Sequence, residues 1–303
     1  MMLAPLLYLS ALLAVASTVL IPHVRLKRAI QRPFPDHFSG ILNRNIAAYS
    51  KMPPELQRQL QDLVKQFLHQ KKFVGCDGMQ IDDEVRVTIA GKACMLLLNR
   101  KPRVYPGLNQ VLVYPSSFVA PRKEIGVAGV VTHADQNLAG ESWSDGRVIL
   151  AWDHVLQSTG AVSNGHNVVL HEFAHQLDSE TGGTNGAPWL PSRARYQRWS
   201  TVLSTEFEKL QRAAQIRFES PADVSLDLAL NGPIEAGSGD YLESSVEPQV
   251  VNVIDFYGAT NPAEFFAVAT ETFFEKPQAM RDYHPALYVE FKKYYRIDPC
   301  NWH

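Results

Sequence analysis

The chain contains few cysteines and carries almost no net charge. Its 303 residues include three cysteines, and the formal net charge is -2. Cys76, Cys94 and Cys300 fit neither a paired disulfide framework nor a C-x-x-C metal site, so we expect reduced thiols. Reduced thiols favour a cytoplasmic body. The balanced charge gives no reason to expect direct contact with nucleic acid. The sequence also lacks a His-rich tract, an internal repeat and a low-complexity run.

Charged side chains are missing from the amino terminus. Residues 1–24 contain no Asp, Glu, Lys or Arg and are mostly apolar, and about 20 such residues can cross a bilayer. Four basic residues follow within 25–32, and basic residues after a span favour the cytoplasmic side. We therefore expect residues 1–24 to form a hydrophobic helix. It would be a single transmembrane anchor in the inner membrane, with the rest of the chain in the cytoplasm.

A cleaved signal peptide is the alternative interpretation of this segment. Ala14-Val15-Ala16 resembles a signal-peptidase site, and cleavage there would export a mature chain that begins at Ser17. No basic residue precedes the apolar run, although such a residue is typical of secretory signals. The retained anchor is therefore favoured.

The most informative motif reads H-E-x-x-H and comprises His171, Glu172 and His175. On a helix, residues four apart share a face, so both imidazoles can bind one zinc ion. Glu172 would then lie beside the open position of the metal, where it can accept a proton from water. Two histidines at this spacing could also be core residues, but that alternative gives Glu172 no role.

The surrounding sequence supports a helix of ordinary length. Apolar residues recur at helical spacing from Val168 to Leu177, and Gly182-Gly183 end the pattern. Asn164 or Asn167 could cap its start.

Two histidines need a third protein ligand to hold zinc. Asp178 is two turns from His171 on the same helix, too far to reach the same ion, so we expect it to support a metal ligand or to make a structural hydrogen bond. Glu264 and Glu271 are better candidates, on a helix that Asn261 and Pro262 should start. Glu264 could instead complete a capping box with Asn261, and Glu271 could be a solvated surface charge. The spacing does not separate the two glutamates.

The order of elements predicts an α+β fold that is mainly helical, with a small sheet. Periodicity predicts helices near 36–50, 54–70, 81–97, 153–158, 168–178, 193–213, 262–275 and 285–296, and strands at 111–114, 126–132 and 147–152. The stretch 215–250 is polar and loop-prone. Strand 147–152 has two interpretations: an added-strand partner for an extended substrate, or a buried central strand.

Many separate segments resemble the Mlc titration factor A family of zinc metallopeptidases, whose catalytic core is related to anthrax lethal factor. The matching segments are 73–75, 83–90, 93–94, 105–108, 111–115, 140–143, 171–178 and 257–267. The resemblance covers roughly 33–298 and implies a zincin-like metallopeptidase domain. We place this domain at 36–303, with a helical part at 36–100 and a catalytic part at 101–303. Residues 25–35 would link it to the anchor.

The resemblance also implies roles for individual residues. Glu264, in the A-E-F-F-A motif, would be the third zinc ligand beside His171 and His175, so that each chain holds one Zn²⁺. Tyr257 would donate a hydrogen bond to the substrate carbonyl, although it could also be an ordinary core aromatic. Glu172 would be the general base in hydrolysis of a peptide or protein substrate. The enzyme could be an aminopeptidase or an endopeptidase.

The same resemblance implies a second function. The chain could be a regulatory binding protein that sequesters a transcriptional repressor of glucose uptake, with peptidase activity secondary. Hydrolysis of non-peptide amides is a third alternative. Two features depart from the family: the stretch 215–250 is longer than expected, and a hydrophobic amino terminus is not universal.

Overall fold

The computed structural model describes most of the chain. The described residues are 20–100, 104–116, 118–119, 124–125, 131–132, 137–138, 140–143, 146–159, 165–219 and 253–302. They divide into two compact units, one within Met1–Leu177 and Tyr295–His303 and the other within Asp178–Tyr294.

The first unit combines helices with a sheet. Its helices are α1 (Ile21–Gln31), α2 (Asp36–Asn45), α3 (Pro54–Gln70), α4 (Asp83–Met95), α5 (Trp152–Gln157) and α6 (Val168–Asp178). Its strands are β1 (Lys72–Gly75), β2 (Gln110–Tyr114), β3 (Phe118–Val119), β4 (Glu124–Ile125), β5 (Val131–Thr132), β6 (Asn137–Leu138), β7 (Gly140–Trp143) and β8 (Arg147–Ala151).

The main sheet has the order β1-β2-β8-β7. Strands β1, β2 and β8 are parallel, and β7 pairs with β8 in the antiparallel direction. Val111 lies opposite Phe73 on one side and Val148 on the other. Strand β8 is therefore bonded on both sides and almost wholly buried. Of the two interpretations of 147–152, the buried central strand is correct, and an extended substrate cannot add to it.

Two helices of the first unit contribute part of its core. Helix α3 is amphipathic and buries Leu60, Leu63, Val64 and Phe67. Helix α4 is buried almost all round, and the Asp82 side chain caps it by accepting the backbone N–H of Val85 at 2.9 Å. A Cβ at Gly91 would lie 2.5 Å from Leu42 Cδ2. Glycine there lets α2 and α4 approach closely.

The second unit is helical. Its helices are α7 (Arg193–Glu219), α8 (Pro262–Glu275), α9 (Pro277–Tyr283) and α10 (Pro285–Tyr295). Its core contains Trp199, which stacks on Phe291 with ring centroids 5.3 Å apart and meets Phe266 edge-on at 5.8 Å. The fully buried carboxylate of Glu290 accepts hydrogen bonds from Arg195 at 2.6 Å and Arg198 at 2.7 Å. This bonding satisfies a charge that would be costly to bury alone.

The predicted α+β class and mainly helical content are confirmed. Strands 111–114 and 147–152 form, except that Trp152 already begins α5. Helix α7 runs to Glu219, so the start of the polar stretch 215–250 is helical and its remainder, 220–250, lies outside the described residues. Only 131–132 of the predicted strand 126–132 are described. Periodicity missed β1, β7 and α9, each of which spans seven residues or fewer.

The amino-terminal prediction is mostly outside the described residues, which begin at Leu20. Among the residues that are described, no helix is long and apolar enough to cross a membrane. Helix α1 covers 25–31 of the segment predicted as a linker, and it begins with Pro22 in its first turn. Its end is held by Lys65 Nζ, which donates to the carbonyls of Ile30 and Arg32.

Candidate metal centre

Helix α6 carries the H-E-x-x-H motif, and Asn167 starts it. The Asn167 side chain accepts the backbone N–H of Leu170 at 3.2 Å, and its carbonyl accepts the N–H of His171 at 2.9 Å. Asn167 is therefore the cap that the sequence left open between two asparagines. Asn164 lies outside the described residues.

One face of α6 is embedded in the core of the first unit. Val169, Leu170, Phe173, Ala174 and Leu177 are each 0% exposed. The ring of Phe173 meets Tyr105 at 4.7 Å and Phe67 at 5.7 Å. Because this face is fixed in the core, the orientation of the remaining face is fixed as well.

The other face presents the two histidines at partly exposed positions. Their Nε2 atoms lie 3.2 Å apart, and their rings meet at 81° with centroids 4.8 Å apart. Two nitrogen ligands of one tetrahedral zinc, each about 2.0–2.1 Å from the metal, would lie about 3.3–3.4 Å apart. The pair therefore has nearly the separation that a shared zinc requires.

Glu172 lies between the two histidines in sequence and is only 3% exposed. A carboxylate removed from bulk water interacts more strongly with a neighbouring charge or proton donor. Its burial suits a general base near a metal and does not suit a solvated surface charge.

Glu264 lies in the first turn of α8, and Asn261 caps this helix. Asn261 Oδ1 accepts the backbone N–H groups of Ala263 at 2.9 Å and Glu264 at 3.0 Å, with Pro262 at the first helical position. The helix start predicted from Asn261 and Pro262 is confirmed. The cap fixes the backbone from which the Glu264 side chain leaves.

Three side chains are candidates to hold a metal ion. His171 and His175 of the first unit each offer an imidazole nitrogen, and Glu264 of the second unit offers a carboxylate oxygen. Two imidazole nitrogens and one carboxylate oxygen are a donor set that zinc accepts in catalytic sites, where water takes the fourth position. The residues present therefore fit a zinc ion.

The exposure of Glu271 and of Tyr257 does not agree with the alternative roles considered for them, a solvated surface charge and an ordinary core aromatic. Glu271 is 4% exposed, so it is not a solvated surface charge, and it does not belong to the group above. Glu271 lies in the stretch of α8 that is buried on all sides, from Phe265 to Phe274. Tyr257 is 55% exposed, which an ordinary core aromatic would not be. Asp255 Oδ1 accepts the Tyr257 backbone N–H at 2.8 Å and fixes its turn, the short 3₁₀ helix Phe256–Ala259.

Asp178, the last residue of α6, is fully buried, and its Oδ2 accepts the backbone N–H of Gly186 at 2.7 Å. Of the two roles expected for Asp178, the structural hydrogen bond is thus present. Sequence reasoning missed Gly186 and Trp199, whose Nε1 donates to the Gly186 carbonyl at 2.8 Å. A single glycine in a loop gives no periodic signal, and Trp199 is recognisable in the sequence only as one apolar position of α7.

A sequence model of one protein family matches most of the chain. The family is described as glucose-regulated metallo-peptidase M90, and the match covers residues 22–296.

Several individual proteins are similar over nearly the same length. An uncharacterized protein of Synechocystis is 38% identical over 276 residues, which are 91% of this chain and 89% of that protein. Mlc titration factor A of Escherichia fergusonii is 29% identical over 255 residues, which are 84% of each chain. Mlc titration factor A of Salmonella agona is 31% identical over 244 residues, which are 80% of each chain.

Proposed function

Because this chain belongs to the glucose-regulated metallo-peptidase M90 family, we propose that it is a zinc-dependent peptidase that hydrolyses peptide bonds. The family implies a metal. The observation that carries the proposal is the 3.2 Å separation of His171 Nε2 and His175 Nε2 on one helix, with the buried Glu172 between them in sequence.

His171, His175 and Glu264 would hold the zinc. Bound zinc would lower the pKa of a coordinated water towards about 7 and polarise the substrate carbonyl. The first two ligands are oriented by the buried face of α6. The third is oriented by the Asn261 cap of α8.

Glu172 would move the proton. Its carboxylate accepts a proton from the attacking water as the new C–O bond forms, and then donates it to the amine nitrogen as the C–N bond breaks. The burial of Glu172 keeps bulk water from competing for this proton.

Tyr257 would stabilise the charge that develops on the substrate oxygen. Its phenol can donate a hydrogen bond to the carbonyl oxygen as that oxygen becomes negative. Support comes from the exposure of Tyr257 and from the turn that Asp255 fixes at its backbone.

Replacement of Glu172 by Gln tests the proposal directly. We expect Glu172→Gln to keep zinc and to lose about 10²–10⁴-fold in hydrolysis, because an amide cannot accept the proton. Metal analysis and a peptide-substrate panel on the full chain measure both quantities. The matched control is Glu180→Gln, one helical turn beyond the motif at an exposed position, which should retain activity. Unchanged turnover in Glu172→Gln would remove Glu172 from this role.

A regulatory binding function is the second candidate. Two of the relatives carry the name Mlc titration factor A, and we propose on this basis that the chain could sequester a transcriptional repressor of glucose uptake. The Glu172→Gln variant separates the two functions. If this variant loses hydrolysis but retains its biological effect, the effect depends on binding.

We also propose that residues 1–24 are a retained anchor in the inner membrane, with the catalytic body in the cytoplasm. The absence of charge before Arg25 and the basic residues after it support this arrangement. Intact-mass measurement of protein recovered from membranes tests it. A mature chain that begins at Ser17 in a soluble extracytoplasmic fraction would favour the signal peptide instead.

A further inference from the structure

Gly186 lies against the helix that carries Glu264. Its φ is +77°, and a Cβ built there would lie 2.4 Å from the Pro262 carbonyl oxygen and 3.0 Å from the Pro262 carbonyl carbon. No side chain fits this position, because the nearest atoms belong to backbone. The Gly186 backbone therefore contacts the first residue of α8, two residues before Glu264.

Two buried side chains hold Gly186 in place. Asp178 Oδ2 accepts its N–H at 2.7 Å, and its carbonyl accepts the indole N–H of Trp199 at 2.8 Å. Asp178 is 0% exposed and Trp199 is 1% exposed, so both hydrogen bonds are shielded from water. The bond to a carboxylate is also stronger than a bond between neutral groups. Both polar groups of the Gly186 backbone are thus committed to fixed partners.

Trp199 connects Gly186 to α8 a second time. Its ring meets Phe266 edge-on at 5.8 Å and stacks on Phe291 at 5.3 Å. Phe266 is fully buried and follows Glu264 by two residues. The residues just before and just after Glu264 are therefore both braced by the same small set of groups.

We propose that Asp178, Gly186 and Trp199, here called the Gly186 junction, are positioning residues for Glu264. They fix the first turn of α8 and so determine where the Glu264 carboxylate stands as a metal ligand. This inference rests on the proposed function, because it requires Glu264 to bind the metal. The junction acts through Glu264 and has no part in the chemistry itself.

The variant Gly186→Ala tests the junction, and Gly183→Ala is its matched control. Gly183 belongs to the same loop and has no positive φ. A Cβ added at Gly183 would have no atom within 4 Å. We expect Gly186→Ala to weaken zinc binding by about 10–100-fold, as loss of a residue that supports a ligand does. Gly183→Ala should bind zinc as the parent does. Competition with a chromophoric chelator measures both affinities on the full chain.

A double-mutant cycle separates positioning from a general structural role. If the junction acts through Glu264, Gly186→Ala should cost no further zinc affinity when Glu264 is already Ala. The melting temperature of the metal-free protein is measured alongside. An equal loss of affinity in both backgrounds would overturn the proposal and leave Gly186 a purely structural residue.

Trp199→Phe keeps the test decisive if Gly186→Ala fails to fold. It removes the indole N–H while an aromatic ring remains to pack on Phe291, and we expect zinc affinity to fall by about 10-fold. Parent-like affinity in Trp199→Phe or in a folded Gly186→Ala overturns the proposal. A parent chain that binds zinc but hydrolyses no peptide removes the peptidase and leaves the junction standing. A parent chain that binds no zinc ends both.

Discussion

The two helices proposed to supply the metal ligands are built differently. Helix α6 buries one face and presents His171 and His175 on another, whereas α8 is buried all round after its first turn. An amphipathic helix shows in its sequence which side chains leave the core, because polar and apolar residues alternate with the helical period. A helix that is buried on all sides gives no such signal. Glu264 is therefore partly exposed only because it lies in the first turn of α8, before the helix becomes buried on all sides.

The two helices also hold their proposed ligands in different ways. The histidines are fixed by side-chain packing on the opposite face of α6, through residues such as Phe173. Glu264 is fixed by backbone contacts at the helix start, through Asn261 and Gly186. Substitutions that disturb the backbone contacts at the start of α8 should therefore move the Glu264 side chain without disturbing a large core.

The largest effect expected outside α6 concerns Tyr257, which is close to α8 in sequence. Tyr257→Phe should lower kcat by about 10²–10³-fold, the cost of one lost donor to the developing negative charge. Zinc content and melting temperature should stay unchanged, since the exposed ring contributes little packing. Steady-state kinetics on a peptide substrate measure the change. Tyr283→Phe, at a tyrosine that is 59% exposed, is the matched control. Parent-like kcat in Tyr257→Phe would remove Tyr257 from the reaction.

The next prediction compares the two glutamates of α8. Glu264→Gln should lower zinc affinity by about 100-fold or more, because an amide oxygen is a weaker ligand than a carboxylate and even the loss of a supporting residue can cost that much. Glu271→Gln preserves volume at a buried site and should leave zinc affinity unchanged. Chelator competition and thermal melting are measured on both variants. The reverse ranking would assign the third ligand to Glu271.

These two glutamates show which parts of the candidate site can be predicted from the sequence and which cannot. The histidine pair, the base beside it and the cap of α8 follow from local spacing, and the α+β class follows from the order of elements. Spacing could not separate Glu264 from Glu271, because the two are seven apart on nearly one face and only burial distinguishes them. The resemblance to a family supplied that choice. Gly186 could not be found at all, since its role depends on the Pro262 carbonyl 76 residues later in the chain.

The smallest expected effect concerns the cap of α8. Asn261→Ala should reduce the free energy of unfolding by about 1 kcal/mol, because two N–H groups at the start of α8 lose their acceptor. Asn261→Ser should restore most of this stability, since serine is also a good cap. Chemical denaturation of the metal-free protein measures both variants. A stability loss in Asn261→Ala that serine does not recover would show that Asn261 acts through something other than the cap.

The Asn261 variants also help to distinguish a metal-ligand role for Glu264 from a capping-box role. If Glu264 only completed a capping box, Glu264→Gln would keep zinc and lose little stability, because glutamine also completes that box. If Glu264 is a ligand, Glu264→Gln lowers zinc affinity far more than Asn261→Ala does, while Asn261→Ala has the larger effect on the metal-free fold. The two variants should therefore rank in opposite order in metal binding and in stability. The same ranking in both measurements would contradict the assignment of Glu264 as a ligand.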